Sequence, residues 1–418
     1  MNIIIKNIKK LIQVEDNPPL YKAGKEMSQL NTIDDAWLFI KEDKIASYGT
    51  MTEKERLEEI EKNGLSTVID ASNKMVMPAF CDSHTHIVYD GSREIEYIDK
   101  IKGLSYEEIA KRGGGILNSA KRLHNASEDS LFEQAWQRLE EVMSYGTGAV
   151  EIKSGYGLST EDELKMLRVI KRLKEKSPLR IKSTFLGAHA VPLEYKGRQS
   201  EYVDLIIDEM LPLVAEQELA DYVDVFCDKG FFTVEETDRI LVAAEKYGLI
   251  PKIHANELDY SGGVQVGVKH NALSVDHLEY VGDNEIEALR NSKTMPTILP
   301  GASFFLGLIY APARKIIDAG LPLALASDYN PGSSPSGNMQ LVLSMGSIKY
   351  KMLPEEAINA VTLNSAYAMG LSQELGSITP GKTANLIITK EIPSIEFLPY
   401  SFGSNKVESL ILNGKIKF

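Results

Sequence analysis

Cysteine, long apolar runs and excess positive charge are all scarce in this chain. Cys81 and Cys227 are the only cysteines in 418 residues. Two thiols provide no disulfide framework and fit a reducing compartment. No run of 18 apolar residues occurs, and the opening MNIIIKNIKKLIQ has no apolar stretch long enough for a signal peptide. Lys and Arg number 46 against 59 Asp and Glu, a formal net charge of −13. That balance argues against a nucleic-acid surface or an anionic membrane as partner. No low-complexity stretch or short-period repeat stands out. The expectation is a soluble, cytoplasmic protein of ordinary globular composition. Histidine is scarce too, with seven residues in all, yet two stand one residue apart in CDSHTHIVYDGSR, residues 81–93.

The texture of the chain changes twice. Residues 1–75 read as short extended pieces (IIIKNI, AWLFIKED, KIASYG) broken by polar turns and one charged helical segment, EKERLEEIEKN. From Val76 to about Glu374 apolar strands alternate with amphipathic helices. Eight strands can be counted: VMPAFCDSHTH, GAVEIKSG, IKSTFLGAH, YVDVFCD, PKIHAN, LSVDHLE, TMPTILP and PLALASD. Eight strand-then-helix repeats are the pattern of a (β/α)8 barrel of the TIM type. Residues 375–418 return to short extended pieces, GSITPG, ANLIITK, VESLILNG and KIKF. The two ends are therefore expected to pair as one small β-sandwich domain beside the barrel at 76–374. Thr160 with Glu163, and Thr233 with Glu236, carry the capping-box signature of a helix start.

On a strand, residues i and i+2 point to one face, so His84 and His86 project side by side. Such a pair can share a metal ion or can simply be hydrogen-bonded polar residues at a strand end. The rest of the chain decides between them. His189 closes the third strand, His254 the fifth with Glu257 just beyond, and His277 the sixth. Asp328 closes the eighth, before Asn330-Pro331-Gly332. Five of the seven histidines thus fall at strand ends facing one mouth, where a barrel of this kind carries its chemistry. Taken alone, Asp328 reads as a turn residue; with the histidines it completes a donor set suited to zinc or iron. Lys153, on the second strand, reads as a supporting or structural residue.

These residues resemble the amidohydrolase superfamily, from KIASYG through VMPAFCDSHTH to GSITPGKTANLII. The longer strings GSRE, GGGIL, EIKSGYGL, TFLGAHAVP, DVFCD, SVDHLE, ILPGASF and SDYNPGS resemble the imidazolonepropionase family within it. That resemblance implies hydrolysis of the cyclic amide of a small-molecule substrate, 4-imidazolone-5-propanoate, to N-formimidoyl-L-glutamate in histidine degradation. It implies one zinc or iron ion per subunit, held by His84, His86, His254 and Asp328, and a homodimer. It also makes Asp328, His277 and Glu257 catalytic, and assigns substrate binding to Arg93, Tyr156, His189, Asn330, Gly332 and Ser333. Arg93 would clamp the propanoate with its guanidinium fork. The sequence departs from the family pattern at Ala79, Asp228 and Asn385, none in the implied ligand set. No Lys ends YVDVFC in a ligating position, so a single ion is expected. Two alternatives share the barrel: a cytosine- or guanine-type deaminase, which needs no cationic clamp for a carboxylate, and a non-catalytic scaffold, which would need no intact ligand set.

Overall fold

A computed structural model describes residues 2–62, 66–104 and 115–418. Asn63, which ends the charged segment, and the first two glycines of GGGIL lie outside the described residues.

The N-terminal strands are β1 (Asn2–Ile12), β2 (Thr32–Lys41), β3 (Lys44–Thr50), β4 (Ser66–Asp70) and β5 (Met75–Pro78). β2 runs antiparallel to both β1 and β3, whereas β4 and β5 lie parallel to β1. The chain then enters a second sheet through β6 (Phe80–Thr85), β7 (Thr147–Lys153), β8 (Arg180–Ala188) and β9 (Tyr222–Cys227). This sheet continues through β10 (Ile250–Ala255), β11 (Ser274–His277), β12 (Met295–Ile298) and the two-residue β13 (Ala324–Leu325). Its eight strands are parallel and neighbour one another in chain order. Backbone bonds close the seam just beyond β13. Asp328 N donates to His84 O at 3.0 Å, and His86 N to Tyr329 O at 2.9 Å. Asp82 reinforces the closure by accepting from Ser327 N at 2.9 Å and Ser327 Oγ at 2.5 Å. The result is the expected (β/α)8 barrel.

Three C-terminal strands, β14 (Leu386–Thr389), β15 (Val407–Leu412) and β16 (Lys415–Ile416), return to the first sheet, where β14 pairs antiparallel with β5. Both chain ends thus build one eight-stranded sheet. It folds back on itself: Ile45 N donates to Lys382 O, and Ala384 N to Asp43 O. Ile3, Leu38, Ile45, Val76, Leu386 and Ile411 share the apolar core so enclosed. Because Met75–Pro78 pairs with β1 and β14, the chain passes from small sheet to barrel at Ala79 rather than at Val76. The apolar run VMPAF conceals this switch, since it is buried on both sides of it.

Helices cover the barrel because their apolar faces match its outer wall. The helix Thr160–Lys176 buries Leu164, Leu167, Ile170 and Leu173, close to one turn apart. Its cap is Ser159, which accepts from Asp162 N, rather than the expected Thr160. Glu163 is instead drawn into the loop before the helix. The helix Val234–Glu245 does start with the Thr233–Glu236 capping box.

Candidate functional site

The C-terminal ends of the barrel strands bring the candidate residues together. The imidazoles of His84, on β6, and His86, just beyond it, meet the carboxylate that follows β13. Asp328 Oδ1 lies 3.5 Å from both His84 Nε2 and His86 Nε2. His254, from β10, packs its ring 4.5 Å from that of His84 and 5.5 Å from that of His86. All four are buried. His84, His86 and Asp328 hold donor atoms within 4.8 Å of one another, and so do His84, His254 and His277. The four expected ligands therefore fall in two overlapping triads that share His84. A tetrahedral ion with nitrogen and oxygen bonds of about 2.1 Å spaces its donors about 3.4 Å apart, close to the distances at Asp328.

Two further features fit a metal. His84 Nε2 and His254 Nε2 are buried without a hydrogen-bond partner among the described residues. An unsatisfied buried polar atom costs about 1–3 kcal/mol, so this cluster is expensive unless something accepts its lone pairs. In addition, carboxylates orient the far side of each ring. His84 Nδ1 lies 2.6 Å from Asp276 Oδ2, and His254 Nδ1 lies 3.0 Å from Asp224 Oδ2. At His84 an ionised carboxylate only accepts, which places the ring proton on Nδ1 and turns the Nε2 lone pair to the site; His254 Nδ1 and Asp224 Oδ2 are close without a hydrogen bond between them. Burial, followed by neighbouring positive charge, holds the His84 and His86 rings well below their ordinary pKa and hence neutral. Neutral imidazole is the form that binds a metal.

Beneath the mouth lies a closed charge network that the sequence reading touched only at Lys153. Lys153 Nζ is 2.7 Å from Glu151 Oε1 and 2.8 Å from Asp224 Oδ2. Lys252 Nζ is 3.5 Å from Glu151 Oε2 and donates to Ser83 O at 2.8 Å. The Thr184 hydroxyl donates to Glu151. Burial alone would drain the charge of Lys153, but Asp224, Glu151 and Asp276 hold it above its ordinary pKa. Burial likewise opposes ionisation of Asp224, yet His254 and Lys153 keep its carboxyl well below the usual range. These charges were visible as Glu151, Lys153, Asp224, Lys252 and Asp276 inside otherwise apolar strands. A charged residue within such a strand is rarely buried unless it is paired.

The remaining candidates surround the cluster. His189 stacks on His86 at 5.2 Å, and Tyr156 packs 5.4 Å from His189 and 5.9 Å from His86. Burial, with His254 next, lowers the His189 pKa to about 3, so this ring is neutral. Tyr156 sits on a loop fastened by Glu163, whose carboxylate accepts from Gly155 N, Gly157 N and Leu158 N at 3.0, 2.7 and 2.9 Å. After Asp328, Asn330 Oδ1 accepts from Gly332 N and Ser333 N at 2.8 Å each, and Ser333 Oγ donates to Asp328 Oδ2 at 3.1 Å. Burial pushes the Asp328 carboxyl up to about 6, with His254, Ser333 and Asn330 working against it.

Arg93 reaches this same loop. A Cβ at Gly332 would stand 2.2 Å from Arg93 Nη1, so only glycine admits the guanidinium so close. Glu96 holds the other edge of the guanidinium, accepting from Nε at 2.8 Å and Nη2 at 2.6 Å. Across the mouth, His277 Nδ1 lies 3.7 Å from Glu257 Oε2. Every residue implied by the resemblance is thus assembled at one mouth; Glu96, Glu163, Asp224 and Asp276 are the neighbours not anticipated.

Known proteins match this arrangement. Residues 75–417 match the amidohydrolase family. The chain is 58% identical over 416 residues to imidazolonepropionase of Christiangramia forsetii, and 58% identical over 416 residues to that of Flavobacterium johnsoniae. Each of these matches covers 100% of both chains. Imidazolonepropionase of Alkaliphilus oremlandii is 43% identical, with 100% of this chain and 98% of that protein covered. Among solved structures, E. coli guanine deaminase superposes with a TM-score of 0.75 at 14% identity, covering 100% of this chain and 99% of that one. An adenosine deaminase from Xanthomonas campestris with bound zinc superposes with a TM-score of 0.67 at 15% identity, covering 100% and 92%. At such identities the structural likeness speaks for the fold.

Proposed function

The chain belongs to the amidohydrolase family, and from that premise we propose that it is an imidazolonepropionase. It opens the cyclic amide of 4-imidazolone-5-propanoate by hydrolysis, giving N-formimidoyl-L-glutamate. The full-length match to enzymes of that name carries this reading. We assign one zinc or iron ion per subunit, held by His84, His86, His254 and Asp328. Such an ion supplies Lewis acidity and makes water a nucleophile near neutral pH.

The chain's own residues do the rest. Asp328, with its pKa near 6, is largely ionised at neutral pH and accepts a proton as water attacks the ring carbonyl carbon. A new carbon–oxygen bond forms, and His277 donates a hydrogen bond to the developing oxyanion. Asp328 then returns its proton to the ring nitrogen as the carbon–nitrogen bond breaks. Glu257 hydrogen-bonds the imidazolone ring. Arg93 holds the propanoate between Glu96 and the loop carrying Asn330, Gly332 and Ser333. Tyr156 and His189 wall the remaining side. We take the enzyme to be a cytoplasmic homodimer, a reading supported by its family and by two buried, unpaired cysteines. We also take the sheet built from both chain ends, Met75–Pro78 included, as a supporting domain to the catalytic barrel that begins after it.

The test is turnover of freshly generated 4-imidazolone-5-propanoate, followed by ultraviolet absorbance with product identified by mass. Rapid loss yielding N-formimidoyl-L-glutamate, absent in Asp328→Asn, is the expected result. No acceleration by the metal-loaded protein, together with ammonia release from guanine or cytosine, would transfer the barrel to the deaminases.

A further inference from the structure

The strings GSRE and GGGIL, well apart in sequence, meet at Glu96. This residue lies in the first turn of the helix Glu94–Ile101, three residues past Arg93, and is 9% exposed. Its Oε2 accepts from Arg93 Nε at 2.8 Å, from Arg93 Nη2 at 2.6 Å and from Gly115 N at 2.9 Å. Its Oε1 accepts from Asn118 Nδ2 at 3.1 Å. Gly115 precedes the helix Ile116–Asn125 with φ +85° and ψ −165°, a conformation essentially reserved for glycine. Burial opposes the ionisation of Glu96, yet Arg93 and Gly115 N hold its carboxyl below the ordinary range. An ionised carboxylate only accepts, and every partner here donates.

Other groups around Arg93 do different work. Glu94, next in sequence, is exposed and accepts from the Ser92 hydroxyl. Lys100 lies over the ring of Phe305. Arg138 Nη1 donates to Ile87 O and Tyr89 O at 2.9 Å each, and Arg122 Nη1 to Ser92 O at 2.6 Å. The main chain leading to Arg93 is therefore fastened without Glu96. What Glu96 adds is the direction of the guanidinium.

A guanidinium offers a fork along its side, Nε with Nη2, and another across its end, Nη1 with Nη2. Glu96 fills the side fork with one oxygen. The end fork is turned to Gly332, where a Cβ would stand 2.2 Å from Nη1 and 3.5 Å from Nη2. Gly332 shares its loop with Ser333, whose hydroxyl donates to Asp328. The end fork thus lies along the loop that borders the reacting centre. A long side chain already held in place loses less freedom when it binds a ligand.

We propose that Glu96 is a positioning residue that occupies the side fork of Arg93 and thereby commits its end fork to the substrate carboxylate. The pairing also offsets the charge of the guanidinium, so removing Glu96 has two opposed effects. Lost aim weakens carboxylate binding, whereas a lost competitor for Arg93 would tighten it. Aim dominates, because Gly115 and Asn118 hold Glu96 in turn and make it a fixed frame. This rests on the proposed clamp by Arg93, so binding is read apart from turnover.

The experiment measures binding of imidazole-4-propanoate and 4-ethylimidazole to the zinc-loaded enzyme by calorimetry. Both carry the ring without a carbonyl to hydrolyse, and only the first has the carboxylate. Glu96→Ala should weaken the propanoate about 10-fold and leave the ethyl compound unchanged. Glu96→Gln keeps an oxygen for Arg93 while its NH2 meets a turned Asn118 amide, and should stay within about threefold of wild type. In an Arg93→Ala background Glu96→Ala should change nothing further, as a residue acting through Arg93 requires. KM for 4-imidazolone-5-propanoate should follow the binding loss, with kcat less affected. If Glu96→Ala does not fold, Glu96→Asp takes its place with the same expected loss, since it keeps the charge but falls short of Arg93. Tighter propanoate binding in Glu96→Ala, equal weakening of both probes, or an added loss in the Arg93→Ala background would overturn the proposal. So would a wild type that binds the two probes alike. A wild type that prefers the propanoate, with these variant effects, yet fails to hydrolyse 4-imidazolone-5-propanoate would leave the role of Glu96 standing and remove the substrate.

Discussion

Lys153 Nζ stands 2.8 Å from Asp224 Oδ2 at the centre of the barrel, and neither side chain exposes any surface. Asp224 in turn approaches His254, and Asp276, 3.9 Å from Lys153, bonds His84. One buried ammonium therefore stands behind two of the four proposed metal ligands. Taking these charges from water costs several kcal/mol per ion, and their mutual attraction offsets that cost only in a nearly complete network.

Removing one member should therefore be severe. Lys153→Met leaves Glu151, Asp224 and Asp276 with Lys252 as the only cation bonded to the group among the described residues. The expected cost is about 3–5 kcal/mol of stability, with metal affinity reduced about 10- to 100-fold. Chemical denaturation and metal analysis of the purified variant check both. An unchanged midpoint with full metal content would show that the network is not needed.

Glu163 fixes the loop that carries Tyr156 through three backbone N–H groups. Glu163→Gln keeps the size but turns an NH2 group toward one of those donors, leaving it unsatisfied at about 1–3 kcal/mol. KM for 4-imidazolone-5-propanoate should rise by roughly tenfold, with kcat less affected. Steady-state kinetics separate the two; a kcat loss at constant KM would place Tyr156 outside substrate binding.

The approach of Arg93 to Gly332 leads to a paired expectation. Gly332→Ala places a methyl where Arg93 Nη1 now lies and must displace the guanidinium. Arg93→Ala removes it outright. Both should raise KM, and both should bind a substrate analogue lacking the carboxylate as well as wild type does. Weakening toward the carboxylate-free analogue in equal measure would argue against a propanoate clamp.

Lys382 yields a signed pH dependence. It donates to Ser372 O and Leu375 O, and burial lowers its pKa from 10.5 to about 8. Between those values the unfolded chain binds more protons than the folded one, so this residue makes stability rise with pH. Below pH 8 both states are charged and the folded state bears the full penalty. The stability of Lys382→Met relative to wild type should therefore fall as pH rises from 8 to 10.5. Urea denaturation of both proteins across that window gives the slope, and a flat or opposite one would contradict it.

Much of the barrel was legible because its strands are apolar runs closed by polar residues at regular intervals. The small sheet was harder to delimit. VMPAF is uniformly apolar, and nothing within it marks the switch of sheets at Ala79. The site was legible where residue type and position coincide, as for His84, His86 and Asp328. It was not legible where ordinary residues act through contact. Glu163 looked like half of a capping box and instead fastens a loop. Asp224 and Asp276 carried a signal, a carboxylate inside an apolar strand, but only the barrel's closure shows which histidine each one meets.

The most direct test of a metal-dependent amide hydrolase here is to strip the protein with a chelator and titrate zinc or iron back, reading hydrolysis of 4-imidazolone-5-propanoate at each step. Activity should vanish on stripping and return fully at one ion per chain. Hydrolysis that survives complete removal of metal, or that needs two ions per chain, would contradict a single centre built from His84, His86, His254 and Asp328.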